Sequence, residues 1–99
     1  ASGIPYFLVG HVGDGHFHFG YLLDPNIPQE RIAAEDLNHK LVARALSMGG
    51  TCTGEHGVGL HKMGFLLDET GAGAVDMMRA IKRALDPKNI LNPGKIFAL

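Results

Sequence analysis

With Cys52 its single cysteine in 99 residues, the chain can form no internal disulfide. Packing must hold the fold, and a reducing compartment, cytoplasm or mitochondrial matrix, is the simpler setting. No charge of one sign predominates: nine Lys+Arg stand against ten Asp+Glu, a formal net charge of -1. Without surplus cations to neutralise a phosphate backbone, nucleic acid is not an expected partner. No apolar run approaches the roughly 20 residues that span a bilayer, and no charged segment precedes a signal-like apolar stretch. No transmembrane segment is therefore expected, a reading that still allows peripheral membrane association of a longer parent. The length permits one core and excludes a multidomain enzyme within these residues. Because Ala1-Ser2-Gly3 lacks an initiator Met and runs at once into an apolar segment, the chain is expected to be a fragment.

Glycine and histidine are what it has in quantity. Fourteen glycines and six histidines concentrate in residues 10–20 and 49–64. Glycine lets backbone turn or approach a ligand closely, and histidine titrates near neutrality and binds metals. These two stretches are the candidate functional regions.

Ile4-Pro5-Tyr6-Phe7-Leu8-Val9-Gly10-His11-Val12, rich in β-branched and aromatic residues, and Phe17-His18-Phe19-Gly20-Tyr21-Leu22-Leu23, rich in aromatics, predict two strands. Asp14-Gly15 between them signals a two-residue hairpin turn. After Pro28 the spacing of Ile32, Leu37, Leu41, Ala45 and Met48 becomes helical, and Gly49-Gly50 stops that helix. Residues 51–60 have no apolar period and predict a loop. Residues 60–67 have room for a helical turn, and Val75, Met78, Ile81 and Leu85 predict a second long helix from about 68 to 85, ended by Asp86-Pro87. Two strands cannot cover two amphipathic helices, so further strands come from outside this chain or the domain is thin.

If Asp14 and Gly15 are the turn residues, His11 opposes His18, with Cβ atoms about 4.5–5.5 Å apart on one side of the sheet. From that separation two imidazoles can converge on one ion. His16, two residues from His18, shares the face. A catalytic metal site commonly has three protein ligands and an open position, and Glu55 is the candidate third. Its neighbour His56 suits general acid–base work near neutral pH. A His11, His18, Glu55 set suits zinc or manganese holding a hydroxyl or carboxylate oxygen. The plainer readings are a half-exposed polar histidine pair and a flexible glycine turn lacking the Lys-Ser/Thr ending of a phosphate loop. Cys52 reads as a small buried hydrophobe rather than a nucleophile. His39 and His61 read as surface or interface residues. Lys82, Arg83, Lys88 and Lys95 read as a solvated helix end.

Taken in order, Gly10-His11-Val12-Gly13-Asp14-Gly15-x-Phe17-His18, Gly54-Glu55-His56-Gly57-Val58-Gly59 and Arg83-Ala84-Leu85-Asp86-Pro87-x-Asn89-Ile90-Leu91-Asn92-Pro93-Gly94-Lys95 resemble the C-terminal domain of the FAD-linked oxidases. That family includes D-lactate dehydrogenases, D-2-hydroxyglutarate dehydrogenase and the glycolate oxidase flavin subunit. The resemblance implies an α+β fragment of a ferredoxin-like cap domain, an antiparallel hairpin or sheet with two long helices on one side. The whole of residues 1–99 would be one domain, the C-terminal part of the cap, with the FAD-binding domain lying elsewhere. It implies an enzyme oxidising a D-2-hydroxy acid to a 2-oxo acid, with FAD as electron acceptor and a divalent metal. The family's metal ligands fall on His11, His18 and Glu55, its base on His56, and cofactor contacts on Glu55, His56 and Asn92. Metal coordination would polarise the C2 hydroxyl, His56 would take its proton, and hydride would leave for the flavin.

Two departures qualify the match. The family usually has asparagine where His16 stands, which places an extra imidazole on the metal face as a further ligand or a substitute donor. Gly20 replaces an asparagine of the hydroxyglutarate-type enzymes, so Phe19-Gly20-Tyr21 resembles the D-lactate branch. The fragment alone is expected to be inactive, and its unpaired sheet edge is open to a second copy as a homodimer. The competing readings are a stand-alone metal-binding or dimerisation module without flavin chemistry, and a small metallohydrolase with the same three ligands. The electron acceptor stays open among a cytochrome, a quinone, an electron-transfer flavoprotein and oxygen.

Overall fold

The computed structural model describes residues 3–99 and orders them as β1 (Tyr6–His11), β2 (His16–Tyr21), α1 (Pro28–Ser47) and α2 (Met63–Leu85). This is the expected α+β class. The chain divides into two compact units, Ala1–Arg44 and Ala45–Leu99.

In the first unit β1 and β2 pair antiparallel, from Tyr6 opposite Tyr21 to His11 opposite His16. The connection has four residues rather than the two expected. Val12–Asp14 form a single 3-10 turn, closed by the Gly15 N–H donating to the Val12 carbonyl at 3.0 Å, with Gly15 at φ 72°. A two-residue primed turn needs positive φ at both Asp14 and Gly15, and Asp14 is not among the non-glycine residues that adopt it. Only glycine enters that region without steric cost, so the loop lengthens and Gly15 alone turns left-handed. His11 consequently faces His16, and His18 faces Val9. This corrects the expected His11–His18 pairing. Because the shift is two residues, every side chain keeps its face.

The hairpin thus has two unlike sides. Tyr6, Leu8, Phe19 and Tyr21 share one, where the Tyr6 and Phe19 rings stack with centroids 5.0 Å apart. Beside this side, Leu37 and Leu41 of α1 complete an apolar groove of about 680 Å³, with Lys40 and Arg44 also in its lining. The other side carries Phe7, Val9, His11, His16, His18 and Gly20. A Cβ at Gly20 would lie 2.1 Å from the Phe7 ring, so Phe7 can lie across that position only because no side chain occupies it.

Pro28, with its fixed φ and missing N–H, opens α1 where both suit a first helical turn, and the Glu30 carboxylate accepts from the Asp24 N–H at 2.7 Å. The helix stops as expected at Gly49-Gly50. Gly49 donates to the Leu46 carbonyl at 3.1 Å and Gly50 to the Ala45 carbonyl at 2.9 Å, the bond pair of a Schellman motif.

In the second unit α2 begins earlier than the apolar period suggested, because Phe65 and Leu66 are buried on its first turns. Gly71, at φ 81° and ψ 165°, interrupts it in a region open essentially to glycine. Phe65, Leu66, Val75 and Cys52 are buried here. At the other end Asp86 is buried, and its carboxylate accepts from the Ile90 N–H at 3.1 Å and the Leu91 N–H at 2.9 Å. Lys82 pairs with that carboxylate and also donates to the Leu91 carbonyl. Lys82 is therefore not part of a solvated helix end but the staple of the C-terminal turn. Among the described residues no large side chain is fully buried, and the sheet has two strands.

Candidate functional site

Three histidines gather on one side of the hairpin because strand periodicity puts them there. The His11 and His16 ring centroids are 5.0 Å apart, and those of His16 and His18 5.5 Å in an edge-on arrangement. His11 is exposed and the other two half-buried. Nε2 of His16 is shielded from solvent. A row of imidazoles on one strand ladder offers ring-nitrogen donors whose spacing is set by the backbone.

The glycine-rich loop of the second unit has a different construction. The Gly57 N–H reaches the Gly54 carbonyl at 3.3 Å, closing a four-residue turn with Glu55 and His56 at its two central positions. Both side chains are exposed, and His56 Nε2 lies 3.5 Å from Glu55 Oε1. Side chains hold the turn from its flanks. The Thr53 hydroxyl donates to the Gly57 carbonyl at 2.7 Å and accepts from Lys62 Nζ at 3.2 Å. Downstream, the Ile96 N–H donates to the Gly59 carbonyl at 2.8 Å, with Ile96 at φ 72°, a strained geometry for a β-branched residue.

Upstream, Glu69 of α2 accepts from the Cys52 N–H at 2.9 Å and the Thr51 hydroxyl at 3.0 Å. Hydrogen bonding from the Cys52 backbone, followed by that from its side chain and Thr51, lowers the Glu69 carboxyl below its usual range. Burial, reinforced by the Glu69 carboxylate, pushes the Cys52 thiol up to about 11. A thiol so held is protonated at neutral pH and a poor nucleophile, in agreement with the packing role read from the sequence. Thr53, Lys62 and Glu69 were not anticipated as residues that shape the site. The signal for them was only that hydroxyl, ammonium and carboxylate groups flank a glycine loop.

Of the residues singled out from the sequence, His11 and His18 stand on one hairpin face in the first unit. Glu55 and His56 share one turn in the second. Asn92 lies in the exposed C-terminal turn of the second unit, at φ 44°. His39 and His61 are exposed, as expected. Imidazole and carboxylate donors together fit a divalent ion such as zinc or manganese. Added Cβ atoms at Gly57 and Gly59 would meet nothing within 4 Å, so the loop is open at both positions.

The chain resembles known proteins along most of its length. The family described as FAD linked oxidases, C-terminal domain, matches residues 1–96. A mitochondrial D-lactate dehydrogenase (cytochrome) of Arabidopsis thaliana is 50% identical over 96 residues, covering 97% of this chain and 17% of that protein. The corresponding Saccharomyces cerevisiae enzyme is 51% identical over 90 residues, 91% of this chain and 15% of its own length. The glycolate oxidase subunit GlcD of Bacillus subtilis is 43% identical over 89 residues, 90% of this chain and 19% of its own. The chain spans less than a fifth of the length of each of these relatives. Among the described residues no helix is long and apolar enough to cross a membrane.

Proposed function

Because the chain belongs to the FAD-linked oxidases, through their C-terminal domain, we propose that it is the cap portion of an FAD-dependent D-2-hydroxy acid dehydrogenase. D-lactate is the favoured type of substrate, since the D-lactate dehydrogenases are half identical to this chain. The whole chain serves one role, to present donor side chains to the substrate, while a flavin-binding domain elsewhere in the protein holds most of the FAD. A mitochondrial setting fits the relatives named mitochondrial.

In this reading His11, His18 and Glu55 hold a divalent ion, and Glu55, His56 and Asn92 border the cofactor. The bound metal would act as a Lewis acid on the substrate's C2 hydroxyl oxygen. His56 accepts the hydroxyl proton at its imidazole. FAD, when bound, would supply the acceptor for the C2 hydride, and loss of that hydride and one proton would convert a 2-hydroxy acid to the 2-oxo acid. The turn closed between Gly54 and Gly57 holds Glu55 and His56 side by side, with His56 Nε2 3.5 Å from Glu55 Oε1. This turn, within a glycine-flanked motif, is the single observation that carries the reading.

An anaerobic absorbance spectrum of the intact protein, before and after D-lactate, L-lactate or D-2-hydroxyglutarate, tests it. A yellow protein bleached selectively by D-lactate is the expected result. A colourless protein that nevertheless binds zinc supports instead a metal-binding module without flavin chemistry.

A further inference from the structure

The observed register brings forward a residue that the sequence pattern had placed beside the pair rather than in it. His11 and His16 are direct partners in the β1–β2 ladder, and each offers a ligating nitrogen within 4.8 Å of the other's. Zinc–imidazole bonds are about 2.0–2.1 Å long, so two nitrogens at this separation need only side-chain rotation to share an ion. The backbone is already fixed by the ladder, so little ordering remains to be done on binding. His18 adjoins His16 on the same face, ring to ring at 5.5 Å.

We propose that His16 is itself a metal ligand, partnered with His11, and that it biases the site toward zinc and away from manganese. An added imidazole enriches the donor set in nitrogen. Nitrogen donors suit zinc, whereas carboxylate and water oxygens suit manganese, which also stands lowest in the general affinity order of these ions. The inference rests on the reading above that the hairpin holds a metal. It goes beyond that reading in naming a further ligand and the choice of ion.

Metal-free intact protein is titrated calorimetrically with zinc and, separately, with manganese, as wild type, His16→Asn and His11→Ala. Asparagine keeps a polar side chain of strand-compatible size. His16→Asn is expected to lower zinc affinity by roughly a hundredfold and manganese affinity far less. Equal zinc affinity in wild type and His16→Asn overturns the assignment of His16, while a loss confined to His11→Ala leaves the broader metal reading standing. Zinc affinity unchanged in both variants overturns that broader reading as well. Ring nitrogen NMR of wild-type protein gives a check that needs no variant. The His16 signal must move to a metal-bound position on adding zinc, and a signal that stays in place contradicts the proposal.

Discussion

The hairpin and the glycine-rich loop are both donor-bearing regions, yet they are held in different ways. On the hairpin, backbone pairing alone sets the spacing of His11, His16 and His18, and most of the surrounding apolar side chains of β1 are exposed. In the loop, side chains fix the backbone: Thr53 and Lys62 grip the turn, Glu69 anchors its upstream end, and Ile96 closes its downstream end. A ladder tolerates substitution of the side chains it displays. A loop stapled by side chains depends on the staples, including those that touch no ligand.

The largest effect expected is on turnover. His56→Ala in the intact protein should lower kcat by about 10²–10⁴-fold, the usual contribution of a general base, while leaving zinc affinity unchanged. Steady-state kinetics with a parallel metal titration checks both halves. Removing the loop's staple comes next. Thr53→Val, which cannot bond the Gly57 carbonyl or Lys62, should cost roughly tenfold to a hundredfold in kcat through misplacement of His56. Thr53→Ser should recover most of it. Equal activity in the two variants would remove the distinction drawn between loop and ladder.

Stability should differ between the regions in the same sense. Val75→Ala, in the best-buried position of α2, should cost about 2 kcal/mol by denaturant unfolding, whereas Val9→Ala, on exposed β1, should stay within about 0.5 kcal/mol. The smallest effect is confined to acid. The Lys82 hydrogen bond, with the Leu91 N–H next, lowers the Asp86 carboxyl from 3.8 to about 2. A carboxyl depressed in the folded state stabilises fully above its unfolded value and loses that contribution as pH falls through the folded one. Wild type should therefore lose stability between about pH 4 and pH 2 through this group, and Asp86→Asn should flatten that part of the profile in thermal melts followed across pH.

Much of the fold was legible because its signals are local. Pro28 opens α1, Gly49-Gly50 closes it, and Asp86-Pro87 ends α2, each through backbone conformation that the residue type dictates. The face shared by the three histidines was legible for a similar reason, since strand alternation survives any even shift in register. The pairing itself was not. Asp14-Gly15 signals a primed turn, but one alternative loop two residues longer satisfies the same alternation while sparing Asp14 a positive φ. The start of α2 was missed because Gly71 splits its apolar pattern, which hides the buried Phe65 and Leu66 from a periodic reading. The roles of Lys82, Lys62 and Glu69 were hidden for a different reason. A charged side chain at a helix end reads as solvated unless the carbonyls and carboxylates it meets are known, and those are brought near only by the folded turn.

The proposed function rests on His11, His18 and Glu55 as ligands of one ion. Its most direct test is the zinc affinity of the intact protein carrying His11→Ala or Glu55→Gln, one substitution in each region, with folding of each variant verified by circular dichroism. Strong weakening in both variants is the predicted result. Undiminished affinity in Glu55→Gln, with loss in His11→Ala, would contradict the claim and leave the hairpin as a metal site by itself.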